Sequence, residues 1–194
     1  MKRGFKTWAE NEALRLRGEL RLPKDAPLEG RELAKHLRVP IATPDEIGVD
    51  ASILDELLVR SASRWSAVTL YLRNSPFVVF NPKHSEQRQE SDLMHEFAHI
   101  LCKHPPQKIV AKGLFPFPIR EYNPEQEEEA DWLGATLKLP RELLMRALQK
   151  GFSDEQLAEQ FKCSVPLARM RRNRSGVQLH LKRLSAWRTA NGWR

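Results

Sequence analysis

The segment His95-Glu96-Phe97-Ala98-His99 brings two imidazoles and a carboxylate close together in the chain. In a helix, residues four apart share a face, so both rings can reach a single metal ion. Glu96 is one step on from His95, which puts its carboxylate beside the ion rather than on it, where a base is needed to take a proton from water. Two neutral imidazoles and one further carboxylate would leave a tetrahedral zinc a fourth position for water, and zinc lowers the pKa of that water to about 7. The flanking Leu93, Met94, Phe97, Ile100 and Leu101 are apolar, as a buried site requires. The chemistry implied is metal-assisted hydrolysis.

A two-histidine site needs a third protein ligand. The acid-rich stretch Glu121–Asp131 supplies Glu121, Glu125, Glu127, Glu128, Glu129 and Asp131. Glu127 and Asp131 are four apart and share a helix face. One of the two can ligate the ion. The other can accept the free N–H of a ligand histidine and fix its tautomer.

Two helices must carry these groups. Asn81-Pro82 reads as a helix start, with the helix running from about Ser85 to Lys103 and ending at Pro105-Pro106. Asn123-Pro124-Glu125-Gln126 is a second start, for a helix reaching about Lys138. Upstream, residues 5–21 read as an amphipathic helix and Arg31–Leu37 as a short one, followed by an extended step through Val39–Ile41. Residues 44–58 are expected to end in a helix. The runs Ala67–Leu72 and Phe77–Phe80, separated by turn residues, predict a β-hairpin. Residues 107–122 read as an irregular linker. Downstream come Arg141–Lys150, then Asp154–Phe161 opened by a capping box at Ser153, then Pro166–Asn173. Beyond Gly176, VQLHLK alternates like a strand whereas LSAWRTA has helical character.

The chain of 194 residues has 41% hydrophobic and 29% charged residues, ordinary for a globular protein. No stretch approaches the roughly 20 unbroken apolar residues of a membrane helix, and the N-terminal residues lack a signal peptide's apolar block. Two cysteines cannot form a disulfide framework, so a reducing, cytoplasmic setting is expected. The net charge of +7 is uneven: from Arg141 onward there are 12 Lys+Arg against 4 Asp+Glu, and before it 20 against 21. A basic C-terminal quarter suits a polyanion, an acidic protein surface or plain solvation.

The stretches HEFAHILCKHPP and EEEADWLGATLKLP together resemble the ImmA/IrrE family of metallopeptidases. Supporting resemblance extends over RGFKTWAENEAL, LEGRELAKHLRVPI and VVFNPKHSEQRQESDLMHE, so that about residues 3–175 are covered. The resemblance implies an α+β, mostly helical, zincin-like core with a small β-hairpin or sheet, and a helix-turn-helix-like helical subdomain at the C-terminus. It divides the chain into a metallopeptidase domain, 1–150, and a basic subdomain and tail, 151–194. By position it makes His95, His99 and Glu127 the Zn2+ ligands, Glu96 the catalytic base and Asp131, which replaces the commoner Asn, a supporting group. Glu128 and Glu129 are then expected to be exposed, and Lys138, at a usually apolar position, to lie at the surface or over the cleft. His104 and Tyr122 are near in sequence and read as structural.

The resemblance further implies cleavage of an intracellular regulatory protein, often a helix-turn-helix repressor of a mobile element or stress response, with an extended substrate adding to an edge strand. The alternative is a DNA-binding or adaptor protein that keeps zinc for structure. For it, Arg169, Arg171, Arg172 and Arg174 on the second helix of the basic subdomain are the candidate contacts to DNA or a protein partner.

Overall fold

The computed structural model describes residues 1–73, 75–105, 109–110, 119–120 and 123–191. Helix α1 (Phe5–Glu19) buries Ala9, Ala13 and Leu16, spaced to form one inward stripe. Helix α2 (Gly30–Leu37) leads into the short strand β1 (Ile41–Ala42). Residues 44–58 give the brief helix α3 (Ala51–Asp55), which continues as one wider π-type turn over Glu56–Arg60. Strands β2 (Ala67–Leu72) and β3 (Ser75–Phe80) form the expected hairpin. It is tighter than the turn residues indicated, since Leu72 already pairs with Ser75. β3 is central, antiparallel to β2 and parallel to β1, so β2 has an open edge among the described residues.

Helix α4 (Glu86–Leu101) starts close to the expected Ser85, which is its N-cap; Asn81 does not cap it. Asn81 is wholly buried: its side-chain amide donates to the carbonyls of Ala62 and Trp65 at 2.7 and 3.1 Å, tying the hairpin to the preceding loop. Strands β4 (Ile109–Val110) and β5 (Ile119–Arg120) pair antiparallel inside the stretch read as a linker, the rest of which lies outside the described residues. Helix α5 (Pro124–Lys138) starts as its sequence predicts. Asn123 accepts from the backbone N–H groups of Glu125 and Gln126, and Pro124 needs no partner in the first turn.

Helices α6 (Arg141–Gln149), α7 (Asp154–Gln160), α8 (Val165–Arg174) and α9 (Val177–Ala190) follow. Ser153 and Gln156 make the reciprocal capping box at α7. The VQLHLK segment is helical, with Val177 and Leu181, one turn apart, packed on the same apolar cluster. The core forms two clusters. One runs from Ala9 to Leu137 and includes Phe97, Met94, Leu133 and Val78; the other starts at Leu139 and lies under α6 to α9.

The approach of α4 and α5 is set by a glycine. A Cβ on Gly134 would lie 3.0 Å from the backbone N of His95 and from C and O of Met94, so nothing larger than hydrogen fits where the helices meet. Gly134→Ala is expected to force them apart at His95, costing about 1–3 kcal/mol. Chemical denaturation would measure this.

Candidate metal centre

Helix α4 presents His95 and His99 on one face, ring centroids 4.8 Å apart and planes at 67°. Their Nε2 atoms face each other at 3.1 Å. Helix α5 brings Glu127 against both, with Oε2 3.2 Å from His95 Nε2 and Oε1 3.6 Å from His99 Nε2. These three residues are the group among the described residues placed to hold a metal ion. Donors 2.0–2.2 Å from a tetrahedral zinc stand about 3.3–3.6 Å from one another. The three separations lie close to those edges, so the residues fit the ion the motif implies.

The other nitrogens of the two rings are engaged too. Asp131 Oδ1 lies 3.0 Å from His95 Nδ1, one helical turn on from Glu127. His99 Nδ1 faces His104 Nδ1 at 2.9 Å, and His104 Nε2 lies 3.3 Å from Glu129 Oε2. Glu96 is buried, and its Oε2 accepts a 2.5 Å hydrogen bond from Thr69 Oγ1 on β2. The carboxylate beside the two-histidine face is thus held by β2.

The electrostatics favour a cation. Burial by itself lowers the His95 pKa, but hydrogen bonds to Asp131 and Glu127 and the charge of Glu96 outweigh it and push it up to about 10. Hydrogen bonds from His95 and His99 hold the Glu127 carboxyl far below the usual carboxylate range. His104 moves the other way: burial keeps it below the usual histidine range against the pull of Glu129, so its ring stays neutral at physiological pH.

With this geometry, the chain matches the IrrE N-terminal-like domain, a peptidase family, over residues 57–173. The chain belongs to that family. It is therefore of metallopeptidase kind, with protein as its substrate class. The match spans the hairpin, both metal-site helices and the α7–α8 pair. Comparison with curated proteins and with solved structures returns no match. The α+β, mostly helical architecture expected of a zincin-like core is the one observed.

Several sequence expectations need correction. Glu129 is buried at 6% exposure, not exposed; besides His104 it accepts from the backbone N–H of Lys2 at 3.3 Å. Lys138 lies neither at the surface nor over the cleft. It is wholly buried, with Nζ 2.8 Å from both Glu90 Oε2 and the Leu28 carbonyl. Arg171 is also wholly buried, donating to Glu10 Oε1 at 2.6 Å and to the Leu139 carbonyl at 2.9 Å, so it cannot meet an external polyanion. Arg169 and Arg172 both pair with Asp154, and Arg174 lies 3.5 Å from Glu128. Tyr122 and Glu121 lie outside the described residues.

Thr69 carries no signal in the sequence, while His104 reads there only as structural and Glu129 only as an exposed neighbour of Glu127. A signal existed for Glu129: it stands four before Leu133 and eight before Leu137, on the apolar stripe of α5. His104 follows the end of α4, where helical spacing no longer indicates direction. No helix among the described residues is long and apolar enough to cross a membrane.

Proposed function

We propose that the protein is a zinc-dependent endopeptidase that cleaves a regulatory protein, of the helix-turn-helix repressor kind, in the cytoplasm. The observation that carries the metal reading is the convergence of His95 Nε2, His99 Nε2 and the Glu127 carboxylate at separations of 3.1 to 3.6 Å. Zinc held there would supply Lewis acidity, lowering the pKa of water and polarising the scissile carbonyl.

The chain's own residues do the rest. Glu96 takes a proton from the attacking water on its carboxylate and returns it to the leaving amine. Thr69 fixes the carboxylate through its hydroxyl. Asp131, by accepting from His95 Nδ1–H, leaves Nε2 of that ring as the ligating atom. Among the described residues β2 pairs only with β3, and an extended peptide adding beside it would lie along the strand that holds Glu96. The N,N,O donor set also accepts other divalent ions. A DNA-binding role draws no comparable support: Arg171 is buried against Glu10, and the more exposed Arg169, Arg172 and Arg174 already face acids of this chain, Asp154 and Glu128.

The test is incubation of the zinc-loaded protein with purified helix-turn-helix repressors encoded beside its own gene, with fragments identified by mass spectrometry. One repressor is expected to be cut at a single region, and a chelator to stop the cut. Intact repressors under every condition would refute this choice of substrate. Cleavage that survives full metal removal would refute the mechanism.

A further inference from the structure

We propose that His104 and Glu129 form a buried positioning relay that fixes the tautomer and orientation of His99. The proposal rests on the reading of His99 as a metal ligand. The placement begins with the backbone. Helix α4 stops at Leu101, and Lys103 turns into the left-handed region at φ 54°. The N–H of Lys103 then bonds to the Ile100 carbonyl, and that of His104 to the His99 carbonyl, both at 3.0 Å. This double bond pattern is the Schellman helix ending, in which the second residue past the cap packs on the residue that receives its N–H bond. That contact is commonly apolar. Here it is imidazole on imidazole, with centroids 5.0 Å apart and planes at 71°.

The hydrogen-bonding capacity of the rings then fixes the protons. With Nε2 of His99 directed at His95 and Glu127, its proton belongs on Nδ1, which faces His104 Nδ1 at 2.9 Å. His104 accepts there, so its own proton sits on Nε2, which faces Glu129 Oε2 at 3.3 Å. The other oxygen of Glu129 takes the Lys2 N–H. The relay is shut away: the His99, His104 and Glu129 side chains are 10%, 8% and 8% exposed. Asp131, which serves His95, is 64% exposed. The two ligand rings are thus held differently, one by a solvated carboxylate and the other by a dry carboxylate acting through a second imidazole. Outer partners of ligand histidines raise their basicity and lock their direction.

The full-length chain would be titrated with zinc against a chromophoric chelator at fixed pH. His104→Ala is expected to weaken zinc binding about 10- to 100-fold. Glu129→Gln should shift affinity the same way by less, and Glu128→Gln, on the same helix turn, should stay within about twofold, the scatter expected away from such partners. In nitrogen–proton correlation spectra of the zinc-loaded unaltered protein, His99 should show zinc on Nε2 and a slowly exchanging Nδ1–H. That proton should exchange fast in Glu129→Gln. Thermal unfolding of the metal-free variants separates lost folding from lost positioning. If His104→Ala does not fold, Glu129→Gln and the spectrum of the unaltered protein decide. Unchanged affinity in a folded Glu129→Gln with a fast-exchanging Nδ1–H in the unaltered protein, or a His99 without a proton on Nδ1, would overturn the relay. Failure of the unaltered protein to bind zinc at all would instead overturn the metal reading beneath it.

Discussion

Replacement of Glu96 by Gln is expected to lower peptide-bond cleavage by about 10²- to 10⁴-fold, the range general acid–base groups contribute, without loss of bound metal or fold. Gln keeps the size of the side chain and an oxygen that can accept from Thr69, whose hydroxyl now reaches Glu96 Oε2 at 2.5 Å. It loses the negative charge beside His95, and with it the capacity to take up a proton. His95, His99 and Glu127 are untouched, so zinc stoichiometry should match that of the unaltered chain. The measurement is cleavage rate per bound zinc, beside the unfolding midpoint. A variant that binds zinc fully and cleaves at the normal rate would remove Glu96 from the chemistry. A variant that loses zinc would show that Glu96 helps to hold the ion.

Lys138→Met is expected to cost about 3–5 kcal/mol of stability, the price of leaving one partner of a buried ion pair behind. Burial lowers the Lys138 pKa, whereas the charge and hydrogen bond of Glu90 raise it in part. Glu90 Oε2 is shared, taking the Lys138 ammonium at 2.8 Å and the backbone N–H of Gly30 at 2.7 Å. The ammonium also donates to the Leu28 carbonyl at 2.8 Å. One cluster thereby joins the last turn of α5 to α4 and to the start of α2. Methionine fills the volume, but Glu90 then keeps a desolvated charge without its cation. Adding Glu90→Gln to Lys138→Met should recover part of the loss, since a neutral amide oxygen can still accept from Gly30. Denaturant unfolding of the single and double variants measures both. A loss below about 1 kcal/mol in the single variant would mean that the pair is hydrated and not structural.

These two sites also mark the limit of what the sequence discloses. The histidine-bearing helix, the Asn123-capped helix and the Ser153 capping box are local patterns, written within a few residues, and each forms where those residues place it. The hairpin is equally local, apart from the tighter turn that lets Leu72 meet Ser75. By contrast, Lys138, Glu129 and Arg171 are charged side chains whose partners lie far away in the chain, at Glu90, His104 and Glu10. Charge normally marks a solvated face, and no periodicity announces such pairings. The α9 segment is left open by its residues for a related reason: over six residues an alternating pattern and a helical one overlap, and packing of Val177 and Leu181 on the second core decides. Of the site itself, the two imidazoles and the carboxylate between them are legible from spacing. The groups that orient them, Thr69 and His104, are brought in by a strand edge and by a helix ending.

His95, His99 and Glu127 are expected to bind one ion together. Anomalous diffraction at the zinc edge from crystals of the zinc-loaded protein tests it most directly. The expected map holds a single strong peak about 2.0–2.2 Å from Nε2 of both histidines and from a Glu127 carboxylate oxygen. A peak ligated by other residues, or none between α4 and α5 at full zinc loading, would contradict the account.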